Sequence, residues 1–216
     1  MNIGILNYGF GNLCSITKAL IHLDINFTLI NPGDQKLDLC DRFILPGVGS
    51  FEYGINKINR DPQLNKILEQ IKNGKPILGI CLGMQLLFST STEGSLNHGL
   101  DLIPGNCRPF SEQKDFSGRV PHVGFAPLKY NQPDILFEGI EHTPYMYFIH
   151  SYMIPLEQEL ISSAYSIATA TYSGTEFVAY IRKKNVIGMQ YHPEKSQRLG
   201  LQSIYNFAKL DISGFQ

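Results

Sequence analysis

Apolar positions in the first half of the chain follow two rhythms in turn. Ile3 to Leu6 is a short continuous run closed by Asn7-Tyr8-Gly9, and Leu13, Ile16 and Leu20 follow at helical spacing. The same alternation then repeats. Phe27 to Ile30 reads as a second strand, ended by Asn31-Pro32-Gly33, and Arg42 to Leu45 as a third, broken by Pro46-Gly47. Helical spacing returns at Phe51, Ile55 and Ile58, and again at Leu64, Ile67, Leu68 and Ile71. Asp61-Pro62 predicts the start of that last helix, as N-cap and first-turn proline, and Lys72-Asn73-Gly74 its end. Pro76 to Ile80 is a buried-type strand running into Cys81, and Met84 to Phe88 predicts a helix beyond it.

Strands and helices in this order give βαβ units, hence an α/β three-layer fold with a mostly parallel central sheet. From about residue 105 the runs become shorter and β-like, with frequent turns. Phe177 to Ile181 and Val186 to Gln190, joined by Arg182-Lys183-Lys184-Asn185, predict an antiparallel hairpin. Leu201, Ile204, Tyr205 and Ala208 predict a closing amphipathic helix. With no repeat or linker between these segments, the 216 residues read as one domain spanning 1–216.

Charge narrows the function. Eighteen Lys and Arg against nineteen Asp and Glu leave a formal charge of −1, a poor match for a nucleic-acid partner. No apolar run approaches the ~18 residues needed to cross a bilayer, and the first residues lack a signal peptide's cationic segment. The cysteines, at 14, 40, 81 and 107, form no C-x-x-C pair and read as reduced thiols of a cytoplasmic protein. There is no P-loop and no metal-type grouping of Cys and His, so neither cofactor nor metal is expected. Gly9-Phe10-Gly11 begins a dinucleotide fingerprint, but Cys14 stands where its third glycine belongs.

Gly79-Ile80-Cys81-Leu82-Gly83 carries the strongest chemical signal. A nucleophile between two glycines, at a strand-to-helix junction, describes an elbow that lifts the side chain above the sheet edge. The helix N-terminus beside it favours thiolate, the nucleophilic form. A buried structural cysteine is the commoner fate of the residue type, and the paired glycines weigh against it here. Among the six histidines, at 22, 98, 122, 142, 150 and 192, His192 stands at the end of an apolar strand and precedes Pro193-Glu194. In extended chain His192 and Glu194 face one side, so the carboxylate can orient the imidazole as general base. Alone, that tripeptide could equally cap the terminal helix. Pro46-Gly47-Val48-Gly49 reads either as a simple strand-ending turn or as a source of oxyanion-binding N–H groups.

Together these segments resemble the class I, triad-type glutamine amidotransferases. The chain is most similar to the glutaminase subunits of bacterial two-subunit imidazole glycerol phosphate synthases. The resemblance rests on N-Y-G-F-G-N at 7–12, P-G-V-G-S-F at 46–51, G-I-C-L-G-M-Q-L-L-F at 79–88, V-P-H-V-G-F at 120–125, Y-F-I-H-S-Y at 147–152 and Q-Y-H-P-E-K-S at 190–196. It implies a flavodoxin-like α/β fold, with Cys81 as nucleophile, His192 as base and then acid, and Glu194 as its orienting carboxylate. Backbone N–H groups of Val48 or Gly49 and of Leu82 would hold the oxyanion. Gly49, Gln85, Glu93, Ser151 and Tyr152 would hold L-glutamine, the Glu93 carboxylate suiting the substrate ammonium. Phe125, Tyr147, His150 and Lys195 would face a cyclase subunit in a heterodimer, which receives ammonia. The family usually has Gly-Trp-Asn where this chain has Gly124-Phe125-Ala126. That departure keeps open an alternative partner, an enzyme amidating a bacterial surface sugar.

Overall fold

Apolar runs that are hydrophobic at every position belong in strands covered on both faces, and that is where they sit. The computed structural model describes residues 1–216 apart from 115, 131, 141–142, 163–165 and 212–216. Its first strands are β1 (Ile3–Leu6), β2 (Phe27–Ile30), β3 (Arg42–Gly47) and β4 (Ile77–Cys81). Next come β5 (Phe88–Ser91), β6 (Asn97–His98), β7 (Ile103–Pro109), β8 (His122–Pro127) and β9 (Lys129–Tyr130). The last are β10 (Tyr145–His150), β11 (Tyr152–Met153), β12 (Ser166–Tyr172), β13 (Thr175–Lys183) and β14 (Val186–Met189). The helices are α1 (Leu13–His22), α2 (Phe51–Ile58), α3 (Leu64–Lys72), α4 (Leu82–Leu86), α5 (Gln158–Ser162) and α6 (Gln197–Lys209).

The main sheet runs β2-β1-β3-β4-β14-β13-β12-β9. Its first five strands are mutually parallel, and the last three continue it antiparallel. Successive strand residues face opposite layers. Ile3, Ile5, Ile44, Leu78 and Ile80 pack with Ile16 and Leu20 of α1 and with Ile204 and Phe207 of α6. Leu6, Phe43, Leu45 and Ile77 pack on the other side with Phe51 and Ile55 of α2 and with Ile67 and Ile71 of α3. The three-layer α/β expectation holds. Among the described residues no helix is long and apolar enough to cross a membrane.

Local expectations fail in three places, each for a tertiary reason. The helix after Cys81 occupies Leu82–Leu86, and Phe88 instead opens β5, which pairs parallel with β7. Asp61 does not cap α3, which begins at Leu64 behind Gln63. Its carboxylate accepts from the Gln63 and Gly33 N–H groups and from the Tyr8 hydroxyl, tying three segments together. The hairpin strand β14 stops at Met189, so Gln190 lies just beyond it.

Cys81 sits where β4 turns into α4, at φ 54 and ψ −111. A side chain there is strained, and the turn exists because its neighbours have none. A Cβ on Gly79 would meet the Gly83 carbonyl oxygen at 2.5 Å, and one on Gly47 would meet the Gly83 nitrogen at 2.7 Å. A Cβ on Gly83 would overlap the Leu45 carbonyl oxygen.

Strands β8 and β10 form a separate antiparallel ribbon in which His122 pairs directly with His150. Both imidazoles are buried against Phe110 and Phe177. His150 Nδ1 is 2.7 Å from the Tyr152 carbonyl oxygen, which only accepts, so that nitrogen carries the proton. His150 Nε2 is then an acceptor, and His122 Nδ1 donates to it at 3.2 Å. Both rings are held neutral: burial pushes the His122 pKa down to about 4 and that of His150 down to about 3.

Two outcomes follow from this architecture. Gly83→Ala drives a methyl into the Leu45 carbonyl oxygen. It should cost about 3 kcal/mol or more, or roughly 5 °C or more in melting temperature. A variant that melts with the parent would show that the elbow is not sterically locked. Acid should loosen the fold before its carboxylates titrate. The unfolded chain takes up protons at His122 and His150 below about pH 6.5, whereas the folded chain resists to about 4 and about 3. Their stabilisation is complete above pH 6.5 and lost as pH falls, on the order of 2 kcal/mol per histidine by pH 5. Melting curves at pH 7 and pH 5 check it, with His122→Gln expected to flatten the dependence. Equal melting temperatures at the two pH values would contradict a neutral pair.

Candidate active site

Three adjacent parallel strands, β3, β4 and β14, end on the same edge of the sheet, and each delivers one part of the site. β4 ends in Cys81, which pairs in register with Gly47 of β3. Val48 and Gly49 follow directly, Gly49 at φ +113, a conformation that glycine tolerates and side chains resist. β14 leads through Gln190 and Tyr191 to His192. Ligand sites of open α/β sheets collect at such carboxyl ends.

His192 is 2% exposed, and its Nδ1 lies 2.8 Å from Glu194 Oε1. The expected contact is present, but the expected extended geometry is not. Pro193–Lys195 form a single 3-10 turn with His192 as its cap, and the turn brings Glu194 back onto the ring. Tyr147 O accepts from the His192 N–H at 2.8 Å, and Ser196 Oγ donates to the His192 carbonyl at 2.7 Å. His192 Nε2 makes no hydrogen bond, although it is buried. Burial opposes charging the ring, but Cys81 and Glu194 beside it outweigh burial and push its pKa up to about 10. The imidazolium therefore persists at neutral pH beside Cys81.

In front of the thiol lies a pocket of about 330 Å³ lined by Val48, Gly49, Cys81, Leu82, Gln85, Glu93, Ser151 and Tyr152, with Ile149 and His150 completing the wall. The structure thus brings together every residue expected at the oxyanion hole and around the substrate. Glu93 Oε2 accepts from the Phe51 N–H at 2.6 Å and so caps α2, whose own N-cap Ser50 makes no such bond. Burial raises the Glu93 pKa, against the Phe51 N–H, which lowers it. The Cys81 thiol points at the Ile149 carbonyl oxygen, 3.8 Å away. A larger cavity, about 540 Å³, lies between Tyr130 and Ile140, but among the described residues no cysteine or histidine lines it.

The four residues expected to face a partner divide. Phe125 is 48% exposed and meets Tyr147 edge-on at 5.5 Å, and Lys195 Nζ lies over the Tyr147 ring at 5.8 Å. His150 is 6% exposed and points inward to His122, so its outward placement is corrected. Strand alternation decides the matter: Met146, Phe148 and His150 face the core, and Tyr145, Tyr147 and Ile149 face out. Val123, Phe125, Tyr145 and Ile149 make an exposed apolar stripe that the sequence reading did not assemble. It also missed Gln190 and Ser196. Gln190 was within reach, because it stands two residues before His192 on the same extended face. His142 lies outside the described residues. Among those described, no three His, Cys, Asp or Glu groups gather as metal ligands would.

Comparison with known proteins agrees with this geometry. The profile described as glutamine amidotransferase class-I matches residues 5–209. An imidazole glycerol phosphate synthase subunit HisH of Moorella thermoacetica is 39% identical over 210 residues, covering 96% of this chain and 94% of that protein. The protein of the same name from Methanosarcina barkeri is 40% identical, covering 96% and 98%. Among solved structures, PurLQS from Thermotoga maritima superposes with a TM-score of 0.71 at 18% identity, covering 96% of this chain and 97% of that one. A structure titled glutamine amidotransferase gives 0.70 at 15%, covering 96% and 99%. These two speak for the fold. The family match runs through the elbow, the pocket and the His-Pro-Glu turn alike, and this chain belongs to the class-I glutamine amidotransferases.

Proposed function

We propose that this chain is the glutaminase subunit of an imidazole glycerol phosphate synthase, working in the cytoplasm as one half of a heterodimer. It hydrolyses L-glutamine and passes ammonia to the cyclase subunit. The cyclase converts PRFAR to imidazole glycerol phosphate and AICAR in histidine biosynthesis. The observation that carries this reading is that Cys81, beside the His192–Glu194 pair, opens into a pocket that also contains the Glu93 carboxylate. Glu93 suits the α-ammonium of glutamine, and Gln85, Ser151 and Tyr152 bound the same end.

The chemistry follows from the geometry. The Cys81 thiolate adds to the side-chain amide carbon, and the oxyanion is met by N–H groups of Val48 or Gly49 and of Leu82. His192 gives its Nε2 proton to the departing nitrogen, the C–N bond breaks, and ammonia leaves a γ-glutamyl thioester. Neutral His192 then takes a proton from water as the hydroxyl adds to the thioester. That proton restores the imidazolium, and collapse then expels the thiolate beside it and releases glutamate. Glu194 keeps Nδ1 protonated throughout, so that Nε2 remains the working nitrogen.

The exposed stripe of Val123, Phe125, Tyr145 and Ile149 flanks the pocket wall and is the surface that supports docking of a cyclase. Cys81→Ala should abolish glutamine-dependent turnover, by several orders of magnitude, while the cyclase still uses free ammonium. Hydrolysis within tenfold of the parent would remove Cys81 from the mechanism. Glutamate release should be slow for the chain alone and rise strongly when purified cyclase and its acceptor nucleotide are both added. One oxyanion donor turned into place is worth ~10²–10³ in rate. Full activity without a partner would sink the coupling, and activation by a surface-sugar amidotransferase instead of the cyclase would reassign the pathway.

A further inference from the structure

Gln190 belongs to no part of the mechanism just described, yet it is completely buried and touches the nucleophile. Its Nε2 donates toward Cys81 Sγ at 3.6 Å. Its Oε1 accepts from Gln85 Nε2 at 2.9 Å, and that same Gln85 nitrogen donates to the Tyr152 carbonyl at 3.0 Å. The orientation of the amide is thereby fixed. Oε1 is the end that receives a donor, so the end meeting sulfur is the NH₂ group, which can only donate.

A donor beside sulfur distinguishes its two charge states. The neutral thiol directs its own proton at the Ile149 carbonyl, a contact that a thiolate cannot make. The Gln190 N–H acts the opposite way and strengthens when sulfur is charged. His192 is the stronger donor, but it lacks its Nε2 proton from the departure of ammonia until the attacking water supplies one. Hydrolysis of the thioester must afterwards expel sulfur as a thiolate. An amide neither gains nor loses a proton at these pH values, so Gln190 offers its N–H at every stage.

We infer that Gln190 is a positioning residue for glutamine hydrolysis, holding Cys81 Sγ as a thiolate and tying it through Gln85 to the Tyr152 wall of the substrate pocket. This rests on the glutaminase reading above. The test compares Gln190→Met, which keeps the length and loses the donor, with Gln190→Glu, which keeps the shape and loses the donor above the carboxyl pKa. In the full-length chain, iodoacetamide labelling of the Cys81 peptide is followed by mass spectrometry against pH, with exposed Cys14 as internal reference. Turnover is measured with the activating cyclase. The midpoint for Cys81 should rise by about one unit in both variants, while Cys14 is unchanged. The turnover number should fall roughly tenfold or more, with KM within about threefold. A parent-like Cys81 profile in either folded variant overturns the inference. If neither variant folds, the Gln190 side-chain ¹⁵N resonance of the parent decides: it should titrate with the Cys81 labelling midpoint, and a flat response overturns the idea. No glutamate release by the parent, with or without the cyclase and its acceptor nucleotide, would instead sink the glutaminase reading, so the two failures are separable.

Discussion

The placement of the Cys81 thiol depends on one backbone conformation, φ 54 and ψ −111. A non-glycine residue held there costs of order 1–3 kcal/mol and persists only if its surroundings leave no alternative. Here the surroundings are other backbone. Gly47, Gly79 and Gly83 let β3, β4 and α4 approach so closely that a single methyl on any of them collides with main-chain atoms. The same contacts join the nucleophile to the oxyanion side of the site. Gly47 abuts Gly83 and Leu82, and it is the residue from which Val48 and Gly49 depart. Elbow and oxyanion loop are one steric unit, although 34 residues of sequence separate Gly47 from Cys81.

On that scaffold the electrostatics are arranged at the cost of unmet bonds. His192 and Glu194 are almost fully buried, and His192 Nε2 and Glu194 Oε2 both lack hydrogen-bond partners. Burying charges is unfavourable unless they are paired. The 2.8 Å bond within the turn offsets the cost for the ring nitrogen that never reacts. The other ring nitrogen, Nε2, is left without a fixed partner on a ring that lies beside Cys81. An orphaned buried polar atom is rare in native proteins, and two of those found here belong to this one pair.

Much of this was legible in the sequence because its signals are local. The glycines around Cys81 announce the elbow, and the His-Pro-Glu tripeptide puts a carboxylate within reach of His192. The parallel sheet follows from the alternation of apolar runs with helical spacing. Where the reading failed, the deciding partner was distant. Phe88 has the right spacing for a helix and becomes a strand because residues 103–107 pair with it. Asp61 looks like a cap, and its carboxylate is claimed by Tyr8 and Gly33. Glu194 reached the expected atom by an unexpected route, a 3-10 turn. His150 faces inward with Met146 and Phe148 by strand alternation, and its partner there, His122, lies 28 residues away on β8, a pairing that no local pattern encodes.

Strand β10 connects what the sequence could not. Its outward residues Tyr145, Tyr147 and Ile149 help form the exposed apolar surface, and a two-stranded ribbon of this kind is only marginally stable by itself. Its backbone also reaches both reacting groups: Tyr147 O holds the His192 N–H, and Ile149 O accepts from the Cys81 thiol. The two contacts are not equally robust. The bond to His192 is 2.8 Å long and is reinforced by Ser196, whose hydroxyl bonds both to the Tyr147 N–H and to the His192 carbonyl. The contact to sulfur is 3.8 Å long and favours the unreactive thiol. Both contacts run through the backbone of one strand, so the ribbon is where the exposed apolar surface meets Cys81 and His192.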